Sequence, residues 1–183
     1  MPKYIFVLVA WFCCLPSFSL AGQYKVTKVF DGNTVKVSGQ GKTLRVRLVG
    51  IDAPEKGQPY STLSRKHLAD LVRDRTVTIR DFGTDPYKRQ LGEVFLADIN
   101  VNIEMLKAGL VEVYQGEIPK KLDISPYIEA EQEARNAEAG MWVLGTRYVS
   151  PRLWRRARKR MHKLKSQPQL SYESPTSEIH NLP

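Results

Sequence analysis

Between Tyr24 and Ile51, apolar and polar side chains alternate in three short runs that are separated by two glycine-containing turns. The first turn is Asp31-Gly32-Asn33, and an aspartate-glycine pair between two alternating runs is a strong hairpin signal. Gly39-Gln40-Gly41 marks the second turn. The pattern therefore predicts three consecutive antiparallel strands, the third of which ends at Ile51.

Beyond Pro54, segments of helical spacing alternate with segments of strand-like spacing. The predicted helices span residues 61–74, 102–108 and 125–140, and two further strands span 76–82 and 91–97. Gly92 lies inside the last strand, where a glycine marks a bulge or a barrel corner. Trp142 is expected to pack the last helix onto the barrel. The fold class predicted from this order is mainly β with α: a five-stranded OB-type barrel with about three packed helices.

Both ends of the chain differ in composition from the middle. A basic Lys3, an apolar stretch and the small-x-small pattern Ser19-Leu20-Ala21 predict a signal peptide over residues 1–21, cleaved near Ala21. The protein would then be secreted or periplasmic, and the alternative is a membrane anchor formed by the same segment. We expect the domain at residues 22–147, a basic tail at 148–166 and disorder at 167–183, which are rich in Gln, Pro, Ser and Asn.

Cysteine and histidine chemistry is not expected in the mature protein. Cys13 and Cys14 are the two cysteines of the chain, and both lie in the predicted signal peptide. Their removal excludes a disulfide, a thiolate metal site and a cysteine nucleophile. The three histidines are scattered along the sequence, so no histidine metal cluster is expected.

The net charge of +9 is concentrated in the basic tail. Residues 22–150 contain 19 Lys and Arg against 17 Asp and Glu, whereas residues 151–166 contain eight basic residues and no acid. Three interpretations of segment 152–165 remain open: a solvated helix, a nucleic-acid contact that weakens with salt, and an anchor to an anionic surface. The absence of acids favours a polyanionic partner.

Two clusters of residues have the chemistry that phosphodiester hydrolysis requires. Asp31 and Asp52 offer hard oxygen ligands for a divalent cation. Arg47 offers paired donors to a phosphate, and Glu55 can accept a proton from water. Downstream, Asp85-Pro-Tyr87-Lys-Arg89 adds a second arginine and an aromatic ring.

Four separated motifs resemble, in order and spacing, those of the thermonuclease family, also called staphylococcal nuclease-like. They begin at Val29, Arg47, Asp85 and Ala108 and read VFDGNT, RLVGIDAPE, DPYKRQLGEVFL and AGLVEVY. The resemblance covers about Gln23 to Leu144. It implies an OB barrel with packed helices and a calcium-dependent enzyme that cuts DNA and RNA to leave 3′-phosphate ends.

The resemblance also implies roles for individual residues. Three positions match the family's calcium site: Asp31, Asn33 and Asp52. Three match its catalytic residues: Arg47 and Arg89 as phosphate-binding arginines and Glu55 as the general base. Two match aromatic rings beside the bound nucleotide: Tyr87 and Tyr114.

One of these positions departs from the family pattern. Asn33 stands where the family has a second calcium-binding aspartate, so the site has one negative charge fewer. Two functional hypotheses follow. The first is an exported, monomeric nuclease that uses Ca²⁺ or another divalent ion to hydrolyse DNA, RNA or both with little sequence specificity. The second is a catalytically impaired, nucleic-acid-binding OB-fold module. Glu55 favours the enzyme, because a binding module has little use for a general base.

Overall fold

The computed structural model describes residues 22–166. The predicted signal peptide and the predicted disordered C-terminal segment lie outside the described residues. Residues 22–166 contain eight strands: β1 (Gln23–Asp31), β2 (Thr34–Gly39), β3 (Lys42–Leu48), β4 (Ile51–Asp52), β5 (Thr76–Thr84), β6 (Gln90–Leu96), β7 (Ile99–Asn100) and β8 (Glu112–Val113). The α-helices are α1 (Ser61–Val72), α2 (Val101–Lys107), α3 (Ser125–Asn136) and α4 (Pro151–Lys165), and a 3₁₀ segment spans Gly140–Arg147.

Five strands close into a barrel. They pair in the order β3-β2-β1-β5-β6, and β3 also pairs with β6 in parallel, which joins the two ends of the sheet. β7 is a short additional strand that pairs with the end of β6 in antiparallel orientation. Helix α1 lies between the third and fourth barrel strands in sequence. The predicted OB-type barrel is therefore confirmed.

The first hairpin forms where the sequence predicted it. Asp31 pairs with Thr34 across a two-residue turn, and Thr34 to Gly39 then pair in regular register with β3. The predicted end of the third strand at Ile51 is wrong: β3 ends at Leu48. Gly50 has a φ of +78°, a conformation that interrupts the strand, so that Ile51 and Asp52 instead pair with β8.

The core fills the barrel and the space beneath the helices. Inward-facing residues alternate along the strands, and Val35, Val37 and Val46 have no exposed surface. α1 adds Leu68 and Val72 to the same cluster. Each such side chain stabilises the fold by about 1.5–3 kcal/mol relative to leaving it exposed.

Gly92 occupies the barrel corner that the sequence predicted. It pairs with Leu48 on β3 and with Asp81 on β5, next to an irregularity in the β5–β6 ladder. A Cβ atom at this position would lie 2.7 Å from the Ile79 side chain. Glycine therefore fits this corner, because any other residue would force the Ile79 side chain on the neighbouring strand to shift.

The C-terminal part of the fold packs beside the barrel. Trp142 lies in a second apolar cluster with Ala134 of α3 and Met141, not in the main core, and its ring centroid is 4.6 Å from that of Tyr148. The chain then forms α4, which is capped by the Ser150 side chain accepting a hydrogen bond from the Leu153 amide. Within residues 22–166, every helix is too short or too polar to span a lipid bilayer.

Candidate functional site

One large cavity, of about 1040 Å³, brings together all of the predicted site residues. Its walls are the first hairpin turn, β4 with the loop that follows, the turn between β5 and β6, and the segment after β8. The predicted residues that line it are Asp31, Asn33, Arg47, Asp52, Glu55, Tyr87, Arg89 and Tyr114. Residues up to 83 positions apart in sequence therefore meet at one surface.

The hairpin turn is pressed against α1. A Cβ atom at Gly32 would lie 1.8 Å from the Ser64 hydroxyl oxygen, so only glycine fits between the turn and the helix. Asn33 is 3% exposed, and its backbone amide donates to the Asp31 carboxylate at 3.0 Å. Its side-chain amide donates to the Ile51 carbonyl at 3.5 Å, while its side-chain oxygen accepts from the Thr34 hydroxyl at 3.2 Å. The amide form of this side chain is thus used within the fold.

Asp52 and Arg47 form the centre of the site. Asp52 is 2% exposed because β4 pairs with β8, where its partner is Glu112. The Arg47 guanidinium donates to the Ile51 carbonyl at 3.1 Å and to the Asp52 carboxylate at 3.3 Å. It also lies 5.8 Å from the centroid of the Tyr114 ring. These contacts fix the orientation of Arg47 while part of its guanidinium still faces the cavity.

The second arginine is held by an aspartate to which the sequence analysis assigned no role. Asp85 accepts hydrogen bonds from the Arg89 side chain at 2.7 Å and from the backbone amides of Tyr87 and Arg89 at 2.9 Å each. Burial alone would raise the pKa of Asp85, but these donors outweigh burial and lower it. Asp85 therefore stays ionised and anchors both the turn and Arg89. An aspartate before proline at the start of a turn was the available signal.

The aromatic rings lie at the edge of the cavity. Tyr87 is 81% exposed, and the Arg89 guanidinium is 5.5 Å from its ring centroid. Tyr114 is 37% exposed and lies beside Arg47. Exposed rings beside arginines offer surfaces on which nucleobases can stack.

Glu55 is joined to the C-terminal segment through Gln58. The Glu55 backbone amide donates to the Gln58 side-chain oxygen at 3.0 Å, and the Gln58 side-chain nitrogen donates to the Val149 carbonyl at 2.7 Å. Gln58 is buried. The loop that carries Glu55 is therefore attached to the residues that lead into α4, and no sequence motif indicates this attachment.

Arg155 of α4 enters the same cavity and was not among the predicted site residues. It donates to the two Asp52 carboxylate oxygens at 2.6 and 3.2 Å and to the Glu55 carboxylate at 2.8 Å. Burial alone would lower the pKa of Arg155, but its hydrogen bonds to Asp52 and Glu55 outweigh burial and raise it. Arg155 therefore remains charged. In sequence it is one basic residue among eight, with nothing local to distinguish it.

A second acid lies buried behind Asp52. Glu112 is 1% exposed, and one of its carboxylate oxygens accepts a hydrogen bond from the Tyr148 hydroxyl. Its other oxygen has no partner in the part of the chain that the structure describes. Burial, followed by the negative charges of Asp52 and Glu131, raises the pKa of Glu112 to about 7. Glu112 thus changes its charge near neutral pH beside the site.

The cavity contains oxygen atoms of the kind that bind a hard divalent cation. Asp31 and Asp52 supply carboxylate oxygens and Asn33 an amide oxygen, all of which Ca²⁺ accepts. Within residues 22–166, no group of three or more His, Cys, Asp or Glu side chains is placed to hold a metal ion. The proposed ligand set contains two carboxylates and one amide, and both oxygens of Asp52 accept hydrogen bonds from arginines.

Comparison with known proteins settles the family. A family profile described as "Staphylococcal nuclease homologue" matches residues 45–143. The chain belongs to the staphylococcal nuclease family. The matched region contains Arg47, Asp52, Glu55, Arg89 and the rings of the site, whereas Asp31 and Asn33 precede it and Arg155 follows it. The resemblance drawn from the four sequence motifs is confirmed.

Individual relatives resemble more of the chain. A protein of Escherichia coli O157:H7 described as an "Uncharacterized endonuclease" is 38% identical over 157 residues, which cover 85% of this chain and 98% of that protein. An "Uncharacterized endonuclease" of Haemophilus influenzae is 36% identical over 137 residues, 74% of each chain. A "Micrococcal nuclease" of Shigella flexneri is 35% identical over 144 residues, 74% of this chain and 81% of that protein.

Proposed function

We propose that this protein of the staphylococcal nuclease family is a divalent-cation-dependent nuclease that hydrolyses phosphodiester bonds of DNA, RNA or both. The observation that carries the proposal is the meeting of Arg47, Glu55 and Arg89 in one cavity with the buried carboxylate of Asp52. The names of the relatives, which are endonucleases and a micrococcal nuclease, support it.

The chain's own residues account for most of the reaction. Glu55 accepts a proton from water as the water oxygen attacks the phosphorus atom, and the bond from phosphorus to the leaving oxygen breaks. Arg47 and Arg89 donate paired hydrogen bonds to the phosphoryl oxygens and stabilise the charge that develops on them. Asp85 keeps the Arg89 fork oriented through the contacts described above. Asp31, Asn33 and Asp52 would hold Ca²⁺, which supplies positive charge at the phosphate and polarises water.

Little sequence specificity is proposed because the cavity offers guanidinium groups to phosphates and ring faces to bases. Arg47 and Arg89 are suited to phosphate oxygens, which are the same in every nucleotide. Tyr87 and Tyr114 offer ring surfaces, and stacking on a ring accepts any base. The basic residues of α4 would add an electrostatic contact that is also independent of sequence.

The second candidate function is a nucleic-acid-binding module with a disabled site. Two observations favour it: Asn33 lowers the negative charge of the proposed metal site, and Glu55 is bonded to Arg155 instead of being free to accept a proton. Arg47 and Arg89 would then bind phosphates of the nucleic acid, and the nucleic acid would not be cleaved.

Cleavage assays separate the two functions. Supercoiled plasmid and single-stranded RNA are incubated with the purified protein in Ca²⁺, Mg²⁺ or Mn²⁺ and in chelator, with Glu55→Gln as the matched inactive variant. If the protein is a nuclease, cleavage requires a cation and is lost in chelator, and the cleavage rate falls at least about 100-fold in Glu55→Gln. The binding module predicts retarded migration of the nucleic acid on a gel but no cleavage with any of these cations.

The proposed location is outside the cytoplasm. Residues 1–21 are proposed to be removed during export, so that the mature protein begins near Gly22. Mass spectrometry of the protein recovered from the periplasm or the culture medium checks this. A protein that retains Met1 and the apolar stretch in the membrane fraction would support the alternative, an N-terminal anchor.

A further inference from the structure

Arg155 makes contacts that a bound cation would also need. Its guanidinium bridges Asp52 and Glu55 through three hydrogen bonds of 2.6 to 3.2 Å. Asp52 is separated from it by 103 residues and Glu55 by 100, so this bridge depends entirely on how α4 docks. α4 thus reaches into the site from outside the region that matches the family profile.

Arg155 and a divalent cation compete for Asp52. Calcium binds carboxylate oxygens at about 2.3–2.6 Å and therefore needs the lone pairs to which the guanidinium now donates. The guanidinium donates to both Asp52 oxygens, and Oδ1 also accepts a hydrogen bond from Arg47, so most of the lone pairs of this carboxylate are in use and a cation would also be repelled by the positive charge of Arg155. Occupancy of Asp52 by a cation therefore requires Arg155 to leave.

The same contact suppresses the proposed base. The Glu55 carboxylate accepts a hydrogen bond from Arg155 at 2.8 Å, and its side chain is 32% exposed. The Glu55 oxygen that accepts from Arg155 is engaged by that hydrogen bond instead of facing an attacking water. One arginine therefore interferes with metal binding and with proton transfer at once.

Helix α4 is attached to the barrel only near its beginning. Pro151 is buried, Trp154 lines a small cavity together with Pro59, Met141 and Tyr148, and Arg152 donates to the Gln115 carbonyl at 3.3 Å. Every residue from 156 to 165 is exposed. Because few apolar contacts hold the helix, its first turns can separate from the barrel without disturbing the core.

We propose that α4 is an autoinhibitory helix, whose Arg155 occupies the cation position at Asp52 and Glu55 and is displaced when a divalent cation binds. The proposal rests on the proposed function, because it takes the cation site of the nuclease as its target. It makes Arg155 the residue that sets how much cation the protein requires. In the displaced state, the guanidinium is free to contact a phosphate of the nucleic acid.

Calcium titration of variants tests the proposal without any cleavage. The dissociation constant of Ca²⁺ is measured by isothermal titration calorimetry for the full chain, Arg155→Gln and Arg158→Gln. Arg158 is the matched control, because it removes the same charge from an exposed position on the same helix. If the contact leaves the site open about one-tenth of the time, Arg155→Gln binds Ca²⁺ about tenfold more tightly. Arg158→Gln changes the affinity by less than about twofold, since its charge is screened.

A conservative variant and a second measurement complete the test. Arg155→Lys cannot bridge both carboxylates with a planar fork and is expected to bind Ca²⁺ with intermediate affinity. Hydrogen–deuterium exchange of residues 151–157 in the wild-type chain should accelerate in saturating Ca²⁺ relative to chelator, while exchange in α3 stays constant. Circular dichroism confirms that each variant is folded.

Other results would overturn the proposal in distinguishable ways. Equal Ca²⁺ affinity of Arg155→Gln and Arg158→Gln, or unchanged exchange of α4, overturns the autoinhibitory helix alone and leaves the nuclease in place. Weaker binding by Arg155→Gln overturns it too and assigns Arg155 a supporting role in the site. The absence of Ca²⁺ binding by all three proteins, together with the absence of cation-dependent cleavage, overturns both proposals.

Discussion

At the scale of single residues, Arg47 and Arg89 are positioned by different means. Arg47 is fixed by a carbonyl and by the carboxylate of Asp52, which itself belongs to the proposed metal site. Arg89 is fixed by Asp85, which also holds the backbone of the turn. Because Asp85 is not one of the residues of the proposed metal site, its effect on Arg89 can be measured separately.

Removal of Arg89 should lower turnover, and loosening it should lower turnover less. We expect Arg89→Ala to reduce kcat by about two to three orders of magnitude, because the charge it stabilises develops in the transition state. Asp85→Asn should reduce kcat by about tenfold, since Arg89 keeps its charge but loses its orientation. Steady-state kinetics check both, with Arg65→Ala on the exposed face of α1 as the control. A change confined to KM would show that Arg89 only binds ground-state phosphate.

Asn33→Asp should raise Ca²⁺ affinity and lower the stability of the cation-free protein. The added charge strengthens the proposed cation site, so Ca²⁺ affinity and activity at limiting Ca²⁺ should rise. In chelator, however, a carboxylate at this position cannot donate to the Ile51 carbonyl, and the buried charge should destabilise the fold by about 1–3 kcal/mol. Thermal unfolding with and without Ca²⁺ measures both effects, and Asn136→Asp on exposed α3 is the control.

Two outcomes contradict this interpretation of Asn33. If Asn33→Asp alters neither Ca²⁺ affinity nor activity, the side chain is not at the metal site. If the natural protein is inactive at every Ca²⁺ concentration and Asn33→Asp restores cleavage, the natural chain is the binding module.

Which site residues could be predicted depended on how local their signal was. Arg47, Asp52 and Glu55 lie within one nine-residue motif, and Arg89 follows in a turn motif, so sequence order indicated them. Asp85 lay inside a recognised motif but carried no assigned role. Arg155 could not be predicted, because the face of α4 that meets the site depends on how the helix docks, and nothing in the sequence distinguishes Arg155 from Arg156 or Arg158.

At the scale of elements, strand alternation predicted the barrel but not the short ladder beneath the site. The pair β4–β8 has two residues on each side and therefore has no periodicity to detect. It nevertheless buries Asp52 and places Glu112 behind it. The predicted extent of the third strand was wrong for a related reason. Val49, Gly50 and Ile51 continue the apolar character of the sequence past Leu48, where the hydrogen-bonded strand ends.

The exposed part of α4 should contribute affinity for nucleic acid and little stability. Deleting residues 156–183 removes six basic residues from the described helix but leaves Arg155, Trp154 and the capped first turn. We expect the free energy of unfolding to change by less than about 0.5 kcal/mol, since these helical side chains are exposed. The dependence of log K on log salt should flatten by about 0.7–0.9 for each phosphate contact that is lost.

Fluorescence anisotropy with a labelled oligonucleotide in chelator measures this slope. A full-length chain in which the six basic residues between 156 and 165 are replaced by glutamine controls for length. An unchanged slope would return the exposed part of α4 to the alternatives of a solvated helix or an anionic-surface contact.

At the scale of the whole molecule, the charges divide the protein into a nearly neutral barrel and a basic helix. Residues 22–150 carry 19 basic and 17 acidic side chains, so the excess charge belongs to the helix that docks at the site. The barrel, in turn, concentrates acids around Asp52, with Glu112 and Glu131 behind it. Folding brings these acids together, which makes the stability of the molecule depend on pH.

The stability of the cation-free protein should fall as the pH rises through neutrality. Burial and neighbouring acids raise the pKa of Glu112 from 4.5 to about 7, so the folded state holds a proton between these values that the unfolded state has released. The stabilisation from this group is complete below about pH 4.5 and is lost as the pH rises through about 7, by at most on the order of 3 kcal/mol.

Glu112→Gln keeps an acceptor for the Tyr148 hydroxyl but cannot ionise. Urea unfolding in chelator between about pH 5 and pH 8 should therefore show a flatter profile for Glu112→Gln than for the wild type. Glu129 is exposed, so Glu129→Gln should retain the wild-type dependence of unfolding free energy on pH. If Glu112→Gln shows this same dependence, Glu112 is already ionised in the folded protein.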